Sequence, residues 1–481
     1  MAVKKINNPI TLSVLTLAIS GLLGASTAMA DEYHSHSPVS TAGNLDTTFG
    51  IGGFDAINAS AGNDYGKAGV VQKDRKVVIA TDIGDVGNRN IQVRRLNEDG
   101  SPDTSFGTGG AVTIDLGAGD DTVTSIALDV HKGRIVIAGY HTAVDNTTDV
   151  IVARLTKDGV LDASFGTALD ATPDGVVDIS VGAGNDKGNA VAIQKDSKIV
   201  VTGSSDSGTG ANIEVIRLNT DGTLDASFGT ANDGTPDGIV NVDLGAGDDV
   251  GNAVAIQENG RIVVAGNHVV SGSSDIVVAR FLTDGTLDAS FGTANDGTPD
   301  GVVDLSLGGG DDTANSVAIV SDENDDNKQD HGKIVIVGSS VQGVSPNQSS
   351  NIEVIRLNKE GSLDTTFAAS GIANLDFGAG DDLGNSVALQ NNGRIVVAGS
   401  HFNAGSFDMV VARFLSNGTL DPSFGAGNND GTPDGVVDIS VGASDDTANS
   451  VALQGNMKIV VTGSSVQSGS ANIEVVRLLQ H

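Results

Sequence analysis

Short apolar runs alternate with polar, glycine-rich breaks along almost the whole chain. Between Leu224 and Gly285 four such runs appear in order. They are Gly238–Leu244, Asn252–Gln257, Arg261–Gly266 and Asp275–Phe281, and turn residues such as Glu258-Asn259-Gly260 and Thr283-Asp284-Gly285 separate them. Each run is short and rich in Val and Ile, which suit a pleated, half-buried strand. Asn-Gly and Asp-Gly mark tight reversals because both residues tolerate positive φ. The pattern predicts four β-strands in about sixty residues.

That pattern recurs. A phrase close to Leu-Asp-x-x-Phe ends at Phe49, Phe106, Phe165, Phe228, Phe291, Phe367 and Phe424, at intervals of 57, 59, 63, 63, 76 and 57 residues. A period of this size means one supersecondary unit copied and stacked. Units start near residues 45, 102, 161, 224, 287, 363 and 420, and the last fourth strand, Asn472–Leu478, closes the series. An open solenoid needs atypical capping repeats, and none is visible; closure into a ring removes the need. The expected fold class is all-β, a seven-bladed β-propeller of four-stranded antiparallel blades over residues 45–481.

The copies alternate. Units one, three, five and seven begin their fourth strands with Asn90, Asn212, Asn351 and Asn472; units two, four and six use Asp149, Asp275 and Asp408. The third strands of the latter end at His141, His268 and His401, whereas units three, five and seven end in Gly-Ser-Ser. Growth by copying a two-blade module accounts for this, with one break in the alternation where unit seven meets unit one.

The segments Leu161–Gly166, Gly260–Gly266 and Val152–Gly159 resemble the delta-60 repeat family of bacterial proteins. The resemblance covers Leu45 to Leu478 and implies a β-propeller; it implies little about activity, because propellers host many unrelated functions. Unit five departs from the pattern at Phe367-Ala368, which lacks the usual glycine.

The first thirty residues read differently. Lys4 and Lys5 precede an uncharged apolar stretch, Ile10 to Ala25, and Ala28-Met29-Ala30 is a small-x-small cleavage site. This is the pattern of a secretory signal peptide, followed by a polar leader at 31–44, and no second apolar run suggests a membrane span. A secreted or periplasmic protein cleaved near Ala30 is expected. Cysteine is absent, so no disulfide is used. The chain has 27 basic and 61 acidic residues, a net charge of −34. Such a charge opposes binding to nucleic acid and to anionic membranes. Aromatics are only 3 % and tryptophan is absent, which argues against stacked sugar platforms.

Several constellations could carry chemistry. Asp322, Asn324, Asp326 and Asp330 place oxygen side chains at positions one, three, five and nine of a loop in unit five. That spacing wraps a hard cation, Ca²⁺ above all. It is similar to the hairpin calcium loops of integrin alpha-subunit propellers, with Asn327 where glycine is usual. Position twelve is Lys333, so the loop is not an EF-hand. Asn-Asp-Gly-Thr-Pro-Asp-Gly, at Asn232–Gly238, Asn295–Gly301 and Asn429–Gly435, is either half of a calcium repeat or a turn feeding a strand. Gly-Ala-Gly-Asp-Asp and its relatives precede every second strand, with second aspartates from Asp64 to Asp446. An Asx-turn into that strand is the plainer reading; if strand one lines the channel, these loops ring one mouth with negative charge. Seven strand-four arginines, Arg95 to Arg477, and seven unit-opening aspartates, Asp46 to Asp421, suggest one ion pair per blade tying it to its linker. The three histidines suggest a metal but, spread over alternate blades, cannot share one ion.

No nucleophile elbow, His-Glu-x-x-His or phosphate loop occurs. The sequence thus points to a secreted, monomeric, calcium-binding interaction module for an extracellular protein, glycan or small molecule. The alternative is a secreted hydrolase, esterase-like or glycan-cleaving, with its site in the propeller funnel.

Overall fold

The β-branched runs form seven four-stranded antiparallel sheets in a computed structural model of the chain. It describes residues 5–6 and 42–480, apart from 144–145, 167–173, 183, 207, 209, 230–236, 246, 293–299, 322–329, 343–347, 379, 404, 426–434, 442–443, 456–457 and 468. Blade four shows the plan: Asp249–Ile256 is innermost, followed by Ile262–Val270, Ser273–Phe281 and the short outer strand Val302–Leu305. Innermost strands of successive blades touch all the way round, and the last of them, Asp446–Gln454, meets the first, Asp64–Val71. Among the described residues no helix is long and apolar enough to cross a membrane.

The sequence unit is offset from the blade by one strand. The first strand of each unit does not line the channel; it is the outer edge of the preceding blade, so Val302–Leu305 of unit five completes blade four. Strand two of each unit is innermost. This offset is what closes the ring: Phe54–Ile57, from the start of the propeller, pairs with Ser470–Leu479 from its end, in register from Phe54↔Val476 to Ile57↔Ile473. Lys5–Ile6 adds in parallel to the outer edge of blade six.

Apolar side chains of facing blades interdigitate and form one cluster per seam. Ile137 and Ile151 of blade two, for example, pack on Val78 and Ile91 of blade one. All seven phenylalanines of the repeated phrase are fully buried. Each lies under the strand-four arginine of its neighbourhood, with guanidinium carbon 4.4 to 4.8 Å from the ring centroid. The Gly after this Phe adopts positive φ in blade linkers such as Gly229 (78°); Ala368 occupies the same left-handed region at 48° in unit five.

Candidate functional site

The repeated polar residues are accounted for first. Each strand-four arginine donates Nε to the aspartate that opens the next unit, from 2.6 Å for Arg95–Asp103 to 2.9 Å for Arg413–Asp421. Its Nη1 donates to a backbone carbonyl one unit further on, as Arg217 does to Thr283. A second cation joins each aspartate: Lys76 on Asp103, Lys198 on Asp225, Arg261 on Asp288 and Lys458 on Asp46. The expected arginine–aspartate tie is therefore present in every blade, and it also reaches the following blade. Burial alone would raise the Asp46 carboxyl, but hydrogen bonds from Thr48 and Lys458 and the charge of Arg477 bring it down to about 2. Asp103, Asp225 and Asp364 are likewise held well below the usual carboxylate range, against the effect of burial, by hydrogen bonds from Lys and Ser or Thr and by Arg.

The Gly-Asp-Asp loops are structural too, in a manner the sequence did not indicate. The second aspartate accepts the backbone N–H five residues before it, as Asp249 does from Leu244 (2.7 Å), and so closes the loop behind itself. The first aspartate accepts an N–H from the hairpin of the blade before, as Asp248 does from Ala211 (2.9 Å) and Asp381 from Ser350 (2.9 Å). Three residues after the second aspartate stands an asparagine in a bulge of the innermost strand. It is not the partner of an Asx-turn. It donates to a carbonyl of the next blade: Asn189 to Gly251, Asn252 to Ala314, Asn315 to Gly384, Asn385 to Ala448 and Asn449 to Gly66, at 2.8 to 3.1 Å. Thr124 continues the belt to Gly188 at 2.6 Å. In blade one Lys67 takes this place and reaches Asp82 instead. In the Thr-Pro-Asp-Gly linkers the described part is a turn: Asp174, Asp237 and Asp300 each accept the N–H two residues on, at 2.9 Å, and open the outer strand.

Of the expected calcium ligands, Asp322, Asn324 and Asp326 lie outside the described residues. Asp330 is described, and its carboxylate meets Lys333 at 2.5 Å and Arg356 at 3.1 Å. It joins the tie of blade five through its cations. The flanking strands, Asp312–Ile319 and Ile334–Gln342, end and begin at the end of the ring that carries the Leu-Asp-x-x-Phe turns.

The copies also disagree near the other end of the ring, where the innermost strands begin. In the even blades the histidine faces the aspartate of the adjoining strand directly: His141↔Asp149, His268↔Asp275 and His401↔Asp408. The outer strand adds a third residue on the same sheet face, diagonal to this pair: Asp178, Asp304 or Asp438. In each blade the three offer ligand atoms that all lie within 4.8 Å of one another. Imidazole Nε2 stands 3.2 Å from Asp178, 3.1 Å from Asp304 and 3.3 Å from Asp438. On the other side of the His268 ring, Asp249 Oδ1 lies 4.0 Å from Nδ1. The blade-six cluster is the most enclosed. Burial alone would lower the pKa of His401, but Asp438, Asp382 and Asp408 outweigh it and raise it; burial pushes Asp382 up to about 6. The histidines therefore do not meet one another, as expected, but each has its own two carboxylates. The third carboxylate escaped sequence reading because the offset unit hides it: Asp178 is written in unit three and works in blade two.

Odd blades fill the same three positions with neutral groups. Blade three has Ser205, Asn212 and Asn241; blade five has Ser340, Asn351 and Asn374. A buried glutamate accompanies them: Glu214, Glu353 or Glu474, at 1 %, 2 % and 0 % exposure. Glu353 accepts from Ser340 (2.7 Å) and Asn374 (2.6 Å), and Glu474 accepts from Ser465 (2.7 Å). Both oxygens of Glu214 lack a hydrogen bond, and burial, with the charge of Asp186 adding, pushes its carboxyl up to about 8. Glu474 is pushed up by burial to about 7.

Six segments, residues 72–106, 133–165, 194–228, 257–291, 329–367 and 390–424, match a family described as a β-propeller domain of unknown function, DUF5122. No curated protein matches the chain. Among solved structures, the chain is similar to an ulvan lyase bound to a glucuronate–rhamnose-sulfate ligand (11 % identity, 89 % of this chain, 96 % of that one, TM-score 0.48). It is similar also to Sqt1 from Chaetomium thermophilum (12 % identity, 87 % and 97 % covered, TM-score 0.43). A third is an inactive virginiamycin B lyase from Staphylococcus aureus with quinupristin (10 % identity, 88 % and 98 % covered, TM-score 0.39). These likenesses are of fold alone.

Proposed function

We propose that the chain is an exported, acidic binding module that docks an extracellular partner and uses Ca²⁺ in its blade-five loop. The observation that supports a module over an enzyme is the fate of the repeated polar side chains. Arginines, unit-opening aspartates, loop aspartates and bulge asparagines are spent, blade after blade, on joining one blade to the next. A catalytic constellation is needed once and should break this symmetry with polar groups aimed into the funnel. The connections that differ most between blades are the 320–333 loop and the Asp-Gly linkers, and the strands that flank them leave both at the same end of the ring. A partner would meet that end.

The melting temperature of the mature chain is expected to fall in EGTA and to recover with Ca²⁺, and Asp322→Ala with Asp326→Ala is expected to shrink that difference. Equal melting with and without calcium removes the calcium part. Steady turnover of chromogenic esters or glycosides, lost on mutation of a funnel residue, replaces the module reading with the hydrolase.

A further inference from the structure

The three positions that change between odd and even blades sit on three different strands, yet they change together. In blades two, four and six His on the second strand goes with Asp on the third and Asp on the outer strand; in blades three and five Ser goes with Asn and Asn, and in blade seven Ser465 goes with Asn472 and Ala56. Copying of a two-blade module explains how the three recur together; a shared ligand is a reason for them to stay together.

The even-blade geometry shows what kind of ligand. His268 and His401 are 8 % and 4 % exposed, and their Nε2 atoms stand 3.1 and 3.3 Å from a carboxylate oxygen; that of His268 makes no hydrogen bond. At His268 the ring N–H direction misses that oxygen. Nitrogen and oxygen this close but not aimed at each other are arranged as two ligands of a common centre. Bonds of about 2.0–2.1 Å at a tetrahedral angle put neighbouring ligand atoms about 3.3 Å apart. We propose that each even blade binds one divalent transition-metal cation, Zn²⁺ by its chemistry, through the histidine Nε2 and the two aspartates: His141/Asp149/Asp178, His268/Asp275/Asp304 and His401/Asp408/Asp438. Imidazole nitrogen with carboxylate suits zinc and its neighbours, whereas Ca²⁺ takes oxygen alone. Asp249, on the Nδ1 side of His268, stands where an orienting carboxylate behind a metal-bound imidazole is found.

The sites are graded. The outer aspartate is 40 % exposed in blade two, 35 % in blade four and 1 % in blade six. The first two leave a coordination position open to water or to a partner's side chain; the third is closed, and its ion exchanges most slowly.

The test is metal uptake by the full chain, stripped with a chelator and dialysed against buffered Zn²⁺. Three equivalents are expected, with His268→Gln removing one and His141→Gln, His268→Gln and His401→Gln together removing all three. Asp178→Asn with Asp304→Asn and Asp438→Asn, which keeps the histidines, is expected to lower uptake as far. Asp322→Ala with Asp326→Ala leaves it at three, so failure of the calcium proposal and failure of this one are told apart. Co²⁺ in place of Zn²⁺ gives visible d–d bands that vanish in the triple histidine variant. Far-UV circular dichroism without metal confirms that each variant keeps its sheets. No zinc in the parent chain, or undiminished zinc in the folded triple variant, overturns the proposal.

Discussion

Blades three and four are made of nearly the same sequence and end in different chemistry. Their strands superimpose in register, bulge included: Gly188/Ala190 in one and Gly251/Ala253 in the other. Both are tied to the next blade by an arginine on an aspartate and by an asparagine on a carbonyl. Where the innermost strands begin, blade three has Ser205, Asn241 and a buried Glu214, whereas blade four has His268, Asp275 and Asp304. The contrast separates two kinds of repetition. Residues copied seven times serve closure of the ring, which requires them at every seam. Residues copied in alternate blades serve something the ring does not require.

The strongest way to break that contrast is to strike what the two blades share. Arg217→Ala and Arg280→Ala each leave an aspartate without its closest cation and strip a buried Phe of its guanidinium. Each is expected to cost about 3–5 kcal/mol, the range for breaking one side of a buried pair, and by urea denaturation the two costs should agree; a large difference would show that odd and even blades are not held alike. The aspartate partners add a pH signature. Their folded-state pKa values lie below the unfolded value of 3.8, so their contribution is complete above about pH 4 and is lost as the pH falls through the folded values, about 2 for Asp46.

A smaller effect separates the blades. Glu214 titrates in the opposite sense: its folded value of about 8 lies above the unfolded 4.5. The folded chain holds the proton more tightly, so stability is full below about pH 4.5 and declines as the pH rises towards 8. Glu214→Gln is expected to remove this decline and to stabilise the chain by about 1–3 kcal/mol at pH 8, with little change at pH 4. No gain at pH 8 would mean that the odd blades too rely on a charged group. The smallest effect is at the belt. Asn252→Ala should cost about 1 kcal/mol, the net value of one hydrogen bond to a backbone carbonyl, and Asn315→Ala in odd blade five the same.

The propeller was legible in the sequence because strands and turns are local. Val-rich runs bounded by Asn-Gly and Asp-Gly name their own ends, and a period of about sixty residues counts the blades. The arginine–aspartate tie was legible for the same reason: both residues recur, and opposite charges repeated in step seek each other. The Asn belt was misread. Asn252 stands three residues after Asp249, which suggested a local turn, but the bulge at that position turns its side chain towards the neighbouring blade. Local spacing cannot show a contact between residues 62 apart in the chain, such as Asn252 and Ala314. The histidines were seen and their alternation noted, yet the third carboxylate was not, because it is written in the following unit.

Chain order alone determined how many blades there are, what each strand is made of, and which residues repeat in all units or in alternate ones. Only the tertiary structure decided which strand belongs to which blade. The outer strand of each sheet comes from the next unit, because a ring built this way can be fastened by pairing its two ends, Phe54–Ile57 on Ser470–Leu479. That one-strand offset brings Asp304 beside His268 and Asp438 beside His401. The composition of the centres is written in the sequence; their assembly follows from the hydrogen-bonded closure of the ring.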